Sequence, residues 1–90
     1  MTPAARELFR QNLLQQLAAI SPGTLPVPAL KVGLAIGGFE RPTDEAIQAE
    51  LQYLIDKGLV ARPPALISPE NGRWRITAAG ADYLAERGLG

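Results

Sequence analysis

The sequence predicts a small, mainly α-helical domain carrying one β-hairpin, in the order α-α-α-β-β-α. Three observations carry this prediction. An amphipathic helix capped at Thr43 ends in Lys57-Gly58-Leu59-Val60, where glycine stops the helix and Leu59-Val60 opens a strand. Pro69-Glu70-Asn71-Gly72 is a strong turn between Ala65-Leu66-Ile67-Ser68 and Arg73-Trp74-Arg75-Ile76. Thr77 then caps a last helix. The expected helices cover about 3–20, 28–37, 43–57 and 77–87, and the hairpin region about 59–76.

The first helix follows from Thr2 as cap and Pro3 at the first helical position, where its missing N–H costs nothing. Phe9, Leu13, Leu17 and Ile20 recur at helical spacing and form its apolar stripe, and Ser21-Pro22-Gly23 ends it. Leu8 and Leu14 lie off that stripe, either packed on a neighbouring helix, exposed, or held in a dimer contact. Leu25-Pro26-Val27-Pro28 is extended, because each proline disfavours helix for the residue before it. Pro28 opens a second helix with Leu30, Leu34 and Ala35 inward and Gly37-Gly38 at its end. Gly33 inside this helix costs ~1 kcal/mol in propensity, which predicts close packing against the third helix. The third helix buries Ile47, Leu51, Leu54 and Ile55, with Asp44 and Glu45 at the positive end of its dipole. In the second strand Trp74 and Ile76 point to one face as core anchors, and Arg73 and Arg75 to the other. The last helix turns Ala81 and Leu84 to the core, with Gly80 allowing close approach.

The bulk numbers bound the function. Ninety residues make one domain with one modest core. With no cysteine and no histidine, thiolate and imidazole metal sites and histidine-based acid–base chemistry have no ligands or bases to use. Ser21 and Ser68 both sit beside proline with no base to activate them, so no enzymatic role is expected. Gly33-Leu34-Ala35-Ile36-Gly37-Gly38 is not a phosphate loop, since no strand precedes it and no lysine follows. No metal or cofactor is expected. The first residues lack the apolar run of a signal peptide, and the apolar stretch Leu25–Phe39 is too short for a bilayer and carries Lys31 and two prolines. The expectation is a cytoplasmic protein without membrane contact.

At Leu54-Ile55-Asp56-Lys57-Gly58-Leu59-Val60 and Trp74-Arg75-Ile76-Thr77-Ala78-Ala79-Gly80 the chain resembles the bacterial and phage winged helix-turn-helix superfamily. The order of elements matches over nearly the whole chain, and the specific phrases cover about a third of it. The small size also resembles accessory proteins of Mu-like prophages. The resemblance implies a third helix in the major groove of double-stranded DNA, with the hairpin, the wing, across the phosphates. Carried onto this chain, the outward face of the third helix holds Glu45, Ala49, Gln52, Tyr53 and Asp56, flanked by Gln48. Gln48 and Gln52 could pair with adenine, and Glu45 could accept from cytosine. Arg62, Arg73 and Arg75 on the wing could hold phosphates, helped by Arg41 and Lys31. The resemblance also implies a homodimer through the first and last helices, where Leu8 and Leu14 are candidate contacts.

Charge cuts against DNA. Nine basic residues balance nine acidic ones. Between Thr43 and Lys57 four acids, Asp44, Glu45, Glu50 and Asp56, face Lys57 alone. Phosphate neutralisation supplies most nonspecific affinity for DNA, and an acidic reading helix forfeits it. Two functions therefore compete. The first, preferred on the fold's usual role, is a DNA-binding transcriptional regulator using Arg41, Gln48, Gln52, Arg62, Arg73 and Arg75. It predicts that replacing Arg73 and Arg75 by alanine abolishes DNA binding and leaves the fold intact. The alternative is a protein-interaction module that uses Glu45, Tyr53 and Asp56 and does not touch DNA.

Overall fold

The computed structural model describes residues 1–63 and 72–89. The strand expected at Ala65–Ser68 and the turn at Pro69–Asn71 lie outside the described residues. Among the described residues, four helices, α1 (Pro3–Ala19), α2 (Val27–Ile36), α3 (Asp44–Asp56) and α4 (Ala78–Glu86), accompany a small antiparallel sheet of β1 (Leu25–Pro26), β2 (Val60–Ala61) and β3 (Arg73–Ile76). The shape is mainly α with a β-wing.

Local chemistry accounts for where the helices begin. Thr2, Thr43 and Thr77 each accept a hydrogen bond at 3.1 Å from an amide three residues on, Ala5, Ala46 and Gly80 respectively. Each satisfies one of the otherwise unpaired amides of a first turn. The second helix has no side-chain cap and begins at Val27 behind Pro26. Gly58 ends α3 with a left-handed backbone at φ 76°, and the Leu59 amide reaches back to the Leu54 carbonyl at 2.9 Å. The chain is thereby turned at once into β2.

The order of elements departs from the expected one by a strand. Leu25–Pro26 pairs with β3, Leu25 opposite Trp74 and Pro26 opposite Arg73, so the sheet order is β1-β3-β2 and the chain runs α1-β1-α2-α3-β2-β3-α4. Leu25 and Pro26 are extended as expected, but Val27, expected to be extended ahead of Pro28, is already the first residue of α2, where the helix's first turn tolerates proline. The partner of β1 lies 49 residues away, and the pairing is completed by Arg73, which donates to the Thr24 hydroxyl and carbonyl. Proline is tolerated there because β1 is an edge strand. On the other edge Val60 and Ala61 pair with Ile76 and Arg75. Along β3 the expected alternation holds, with Trp74 and Ile76 buried and Arg73 and Arg75 exposed.

The core joins Phe9, Leu13, Leu14 and Leu17 of α1 to Leu30 and Leu34 of α2, Ile47, Leu51 and Leu54 of α3, Val60, Trp74, Ile76 and Leu84. Leu14 belongs to it and is fully buried, whereas Leu8 is 59% exposed. The reason is that α1 packs against α2, α3, α4 and β3 together, so its apolar face is wider than one stripe. Ile20 lies at the end of the helix and is exposed. Ala35 and Ala81 are also exposed; in α4 the inward positions are Gly80 and Leu84. Gly33 packs on α1, not on α3: a Cβ there would lie 2.1 Å from the end of the Gln16 side chain. Gln16 in turn donates to the Asn12 side chain at 2.7 Å and the Leu30 carbonyl at 3.1 Å, tying α1 to α2. Gly80 makes the approach expected of it, since a Cβ would stand 2.2 Å from the Leu59 carbonyl oxygen.

Candidate functional site around the third helix

Among the described residues, two concavities lie on the flanks of α3. The first lies between the start of α2, the outer side of α3 and the wing. It encloses about 450 Å³ and is lined by Asp44, Gln48, Gln52 and Ile55 of α3, Arg62, Gly72 and Trp74 of the wing, and Pro26–Pro28. The helical spacing of 44, 48, 52 and 55 explains why these four side chains share one side. Gln48, Gln52 and Arg62 thus line one groove. Gln52 donates to the Asp56 carboxylate at 2.9 Å, and Asp44 is paired with Lys31 of α2. The Arg62 guanidinium lies over the Trp74 ring, 5.2 Å from its centre. Trp74 is 6% exposed, so it serves the core and the groove wall together.

The other expected site residues are dispersed. Arg73 turns away from the groove to Thr24, at 2.7 Å and 2.9 Å, where it holds β1 to β3. Arg75 is exposed opposite Ala61 and makes no ion pair among the described residues. Arg41 is exposed in the turn before α3, with a left-handed backbone at φ 48°. Glu45 and Asp56 are exposed and form no ion pair among the described residues. Glu50, counted with the acids of α3, faces away from them: its side chain is 13% exposed and pairs with Arg10 at 2.5 Å and Arg6 at 3.5 Å.

The second concavity lies on the opposite flank, between α1, the C-terminal end of α3 and α4, and encloses about 330 Å³. Tyr53 is here and not in the groove. The Arg10 guanidinium stacks on its ring at 3.6 Å, and the Lys57 ammonium is 5.7 Å from the same ring centre. Across the cleft Tyr83 donates its hydroxyl to Glu7, which also pairs with Arg87 at 3.5 Å, and Arg87 lies over the Tyr83 ring. Burial pushes the Tyr83 phenol above its usual range, and the bond to Glu7 and that carboxylate's charge push the same way, against Arg87. Sequence reasoning missed this cluster. Tyr53 and Lys57, and Tyr83 and Arg87, stand at helical i, i+4 spacing, which was the available signal. That three helices bring them together is a tertiary fact.

No protein-family model matches the chain, and no curated protein matches it significantly. Among the described residues no group of acidic side chains has the arrangement of a metal site, and no helix is long and apolar enough to cross a membrane.

Proposed function

We propose that this chain is a winged-helix protein-interaction module whose binding surface is the groove between α3 and the wing. One observation carries the reading: the face that α3 turns outward carries carboxylates and no cation. Arg73 is committed to Thr24, Arg62 lies over Trp74, and Lys31 is paired with Asp44. What α3 offers outward is Glu45 and Asp56 with two glutamines. A duplex meeting that face gains little from counterion release and meets two carboxylates. A peptide segment suits it better. Gln48 and Gln52 each supply a donor and an acceptor for a backbone amide, and Ile55 and Trp74 supply apolar contact.

Fluorescence anisotropy with random duplex DNA across a salt series tests this reading. The expected result is no salt-dependent association down to low ionic strength. A log affinity that falls with log salt at a slope of ~−0.9 per contacted phosphate would overturn it. The positive counterpart is selection of peptides from a random library on the intact chain. Selected peptides should lose binding to a Gln48→Ala, Gln52→Ala variant.

A second reading keeps the transcriptional-regulator role. It is favoured by the grouping of Gln48, Gln52 and Arg62 in one groove and by the exposed Arg75 and Arg41. Its test needs revision. Removing Arg73 also removes the two hydrogen bonds that tie Thr24 to β3, so the double arginine variant mixes DNA contact with wing integrity. Arg75→Ala alone is the clean probe, and under this reading it lowers duplex affinity and reduces the salt slope by ~1.

A further inference from the structure

Of the four helices described, α2 is the one without a polar side. Its ten residues are VPALKVGLAI, and Lys31, the one charged residue among them, is turned to Asp44 of α3. A helix that is apolar on every side is normally buried on every side. Here α2 buries Val27, Leu30 and Leu34, while its outer positions Pro28, Val32, Ala35 and Ile36 stand in solvent. Val32 is 60% exposed and Ile36 83%.

The neighbouring side of α1 continues this surface. The two helices run antiparallel, with Gln16 against Gly33 and Asn12 against Gly37. Leu8, Gln15 and Ala19 flank that contact on the outside; helical spacing sets them on one strip, and all three are exposed. The charges of α1 lie on its other side, where Arg6 and Arg10 meet Glu50, and Glu7 meets Tyr83 and Arg87. From Gln11 to Phe39 the sequence carries a single charge, that of Lys31. The shared face is therefore uncharged, apolar at Leu8, Val32 and Ile36 and polar only through the amides of Asn12, Gln15 and Gln16. Depletion of charge is what distinguishes the centre of a protein interface from the rest of a surface.

We infer that this face is an interface between two copies of the chain, related by a two-fold axis, with one α2 against the other. A two-fold axis lays a patch on itself, so any net charge in the patch meets its like. This patch has none. The chain as a whole has a net charge of zero, so its copies do not repel one another at a distance either. Gln15 offers both a donor and an acceptor and can pair with its own copy across the axis. A strongly acidic or basic partner finds nothing here to attract it. A lipid surface is also a poorer match, because helices that lie on membranes set an apolar side against a polar one rich in Lys and Arg, and α2 has no polar side. The area suffices. The 17 residues of α1 give the face a length of about 25 Å, and two packed helices give it a width of about 20 Å. In projection that is about 500 Å² from each copy and about 1,000 Å² in all, the floor for a specific interface. A dimer of this size forms and dissociates with concentration. The inference does not rest on the function proposed for the groove, since Val32 and Ile36 line neither concavity beside α3.

The test is sedimentation equilibrium of the full chain from micromolar to millimolar concentration. The weight-average mass should rise with concentration from 9.6 kDa toward twice that value. Ile36→Glu should weaken self-association by about a hundredfold or more, because the axis brings two carboxylates into an apolar contact. Val32→Glu should act in the same direction. Both side chains are exposed in the single chain, so both variants keep the fold, which unchanged thermal melts of dilute protein verify. Ala81→Glu, exposed on α4, should leave the mass unchanged. A mass of 9.6 kDa at every concentration would overturn the inference, as would a dimer that survives both Ile36→Glu and Val32→Glu. A dimer broken by Ala81→Glu and not by Ile36→Glu would move the contact to α4. A chain that stays monomeric and floats with phosphatidylcholine vesicles would assign the face to lipid. Either of these last results also overturns the two-copy interface.

Discussion

On the side of α3 that faces α1 and α4, the acids are matched and the central pair is enclosed: Glu50 holds Arg6 and Arg10, Glu7 holds Tyr83 and Arg87, and the Arg10 and Glu50 side chains are only 19% and 13% exposed, while Arg6 and Arg87 reach half into solvent. On the wing side the one ion pair among the described residues, Lys31 with Asp44, is 43% and 63% exposed, and Glu45 and Asp56 stand without a cation. The difference separates two kinds of work done by one helix. An enclosed network fixes where α3 sits, because each member restrains the others and little of its attraction is screened. Exposed, unmatched polar side chains fix nothing and remain available to a partner.

The strongest way to break this division is to disturb the enclosed side at its backbone. Gly80→Ala would put a Cβ 2.2 Å from the Leu59 carbonyl oxygen and 2.6 Å from Ile76. Neither obstacle is the free end of a flexible chain, and the Leu59 carbonyl already accepts from the Thr77 amide at 3.1 Å. We expect a loss of about 3 kcal/mol, the upper part of the range for overpacking. In thermal melts that is a fall of roughly 12–24 °C for a domain of this size. A melt unchanged by Gly80→Ala would mean that α4 can shift away from β2, and the enclosed side would lose its claim to rigidity.

Next in size is Arg10→Ala, which leaves Glu50 with only the exposed Arg6 and removes the stack on Tyr53. Pairs this enclosed fall between the exposed and the buried limits, so about 2 kcal/mol is expected by chemical denaturation. Adding Glu50→Gln to Arg10→Ala should recover part of the loss, since the stranded carboxylate is then gone. No recovery would show that packing, and not charge, is what Arg10 supplies.

A smaller effect is set by Tyr83. Its folded-state pKa lies above the usual 10.0, chiefly from burial and then from the bond to Glu7. Folding therefore favours the neutral phenol. That contribution is intact below the unfolded pKa and is lost as the pH rises through the folded one. Stability should decline above about pH 10, and Tyr83→Phe should flatten the decline while giving up the Glu7 bond at neutral pH. An alkaline profile identical in the variant would place the loss on another group.

The two sides were not equally legible from sequence. The caps at Thr2, Thr43 and Thr77 and the stop at Gly58 were readable because their chemistry closes within a few residues. The alternation of β3 placed Trp74 inward for the same reason. The groove was half legible: α3 spacing puts Gln48 and Gln52 together, and the hairpin brings Arg62 near. The diversion of Arg73 was not, because Thr24 is 49 residues away and β1 is two residues long with a proline in it. Leu14 stayed open between packing on a neighbouring helix, exposure and a dimer contact, because a stripe argument assumes one neighbour and α1 has four; the packed alternative is the one observed. The count of four acids on α3 exceeds its outward charge, as the sideways position of Glu50 on the helix implied; that Arg6 and Arg10 of α1 neutralise it is what composition within one helix does not reveal.

The smallest effect sharpens the comparison most. Lys31→Ala removes an ion pair whose members are 43% and 63% exposed, where side-chain entropy and screening cancel most of the attraction. The expected cost is about 0.5 kcal/mol or less, and it should vanish in molar salt. A double-mutant cycle on Lys31 and Asp44, run beside one on Arg10 and Glu50, isolates each coupling from the losses of packing that accompany it. The enclosed pair should couple several times more strongly and keep most of that coupling in salt. Equal couplings would mean that α3 is pinned from both flanks. The wing side could not then yield to a partner by local adjustment, and the groove would have to receive its ligand as a rigid mould.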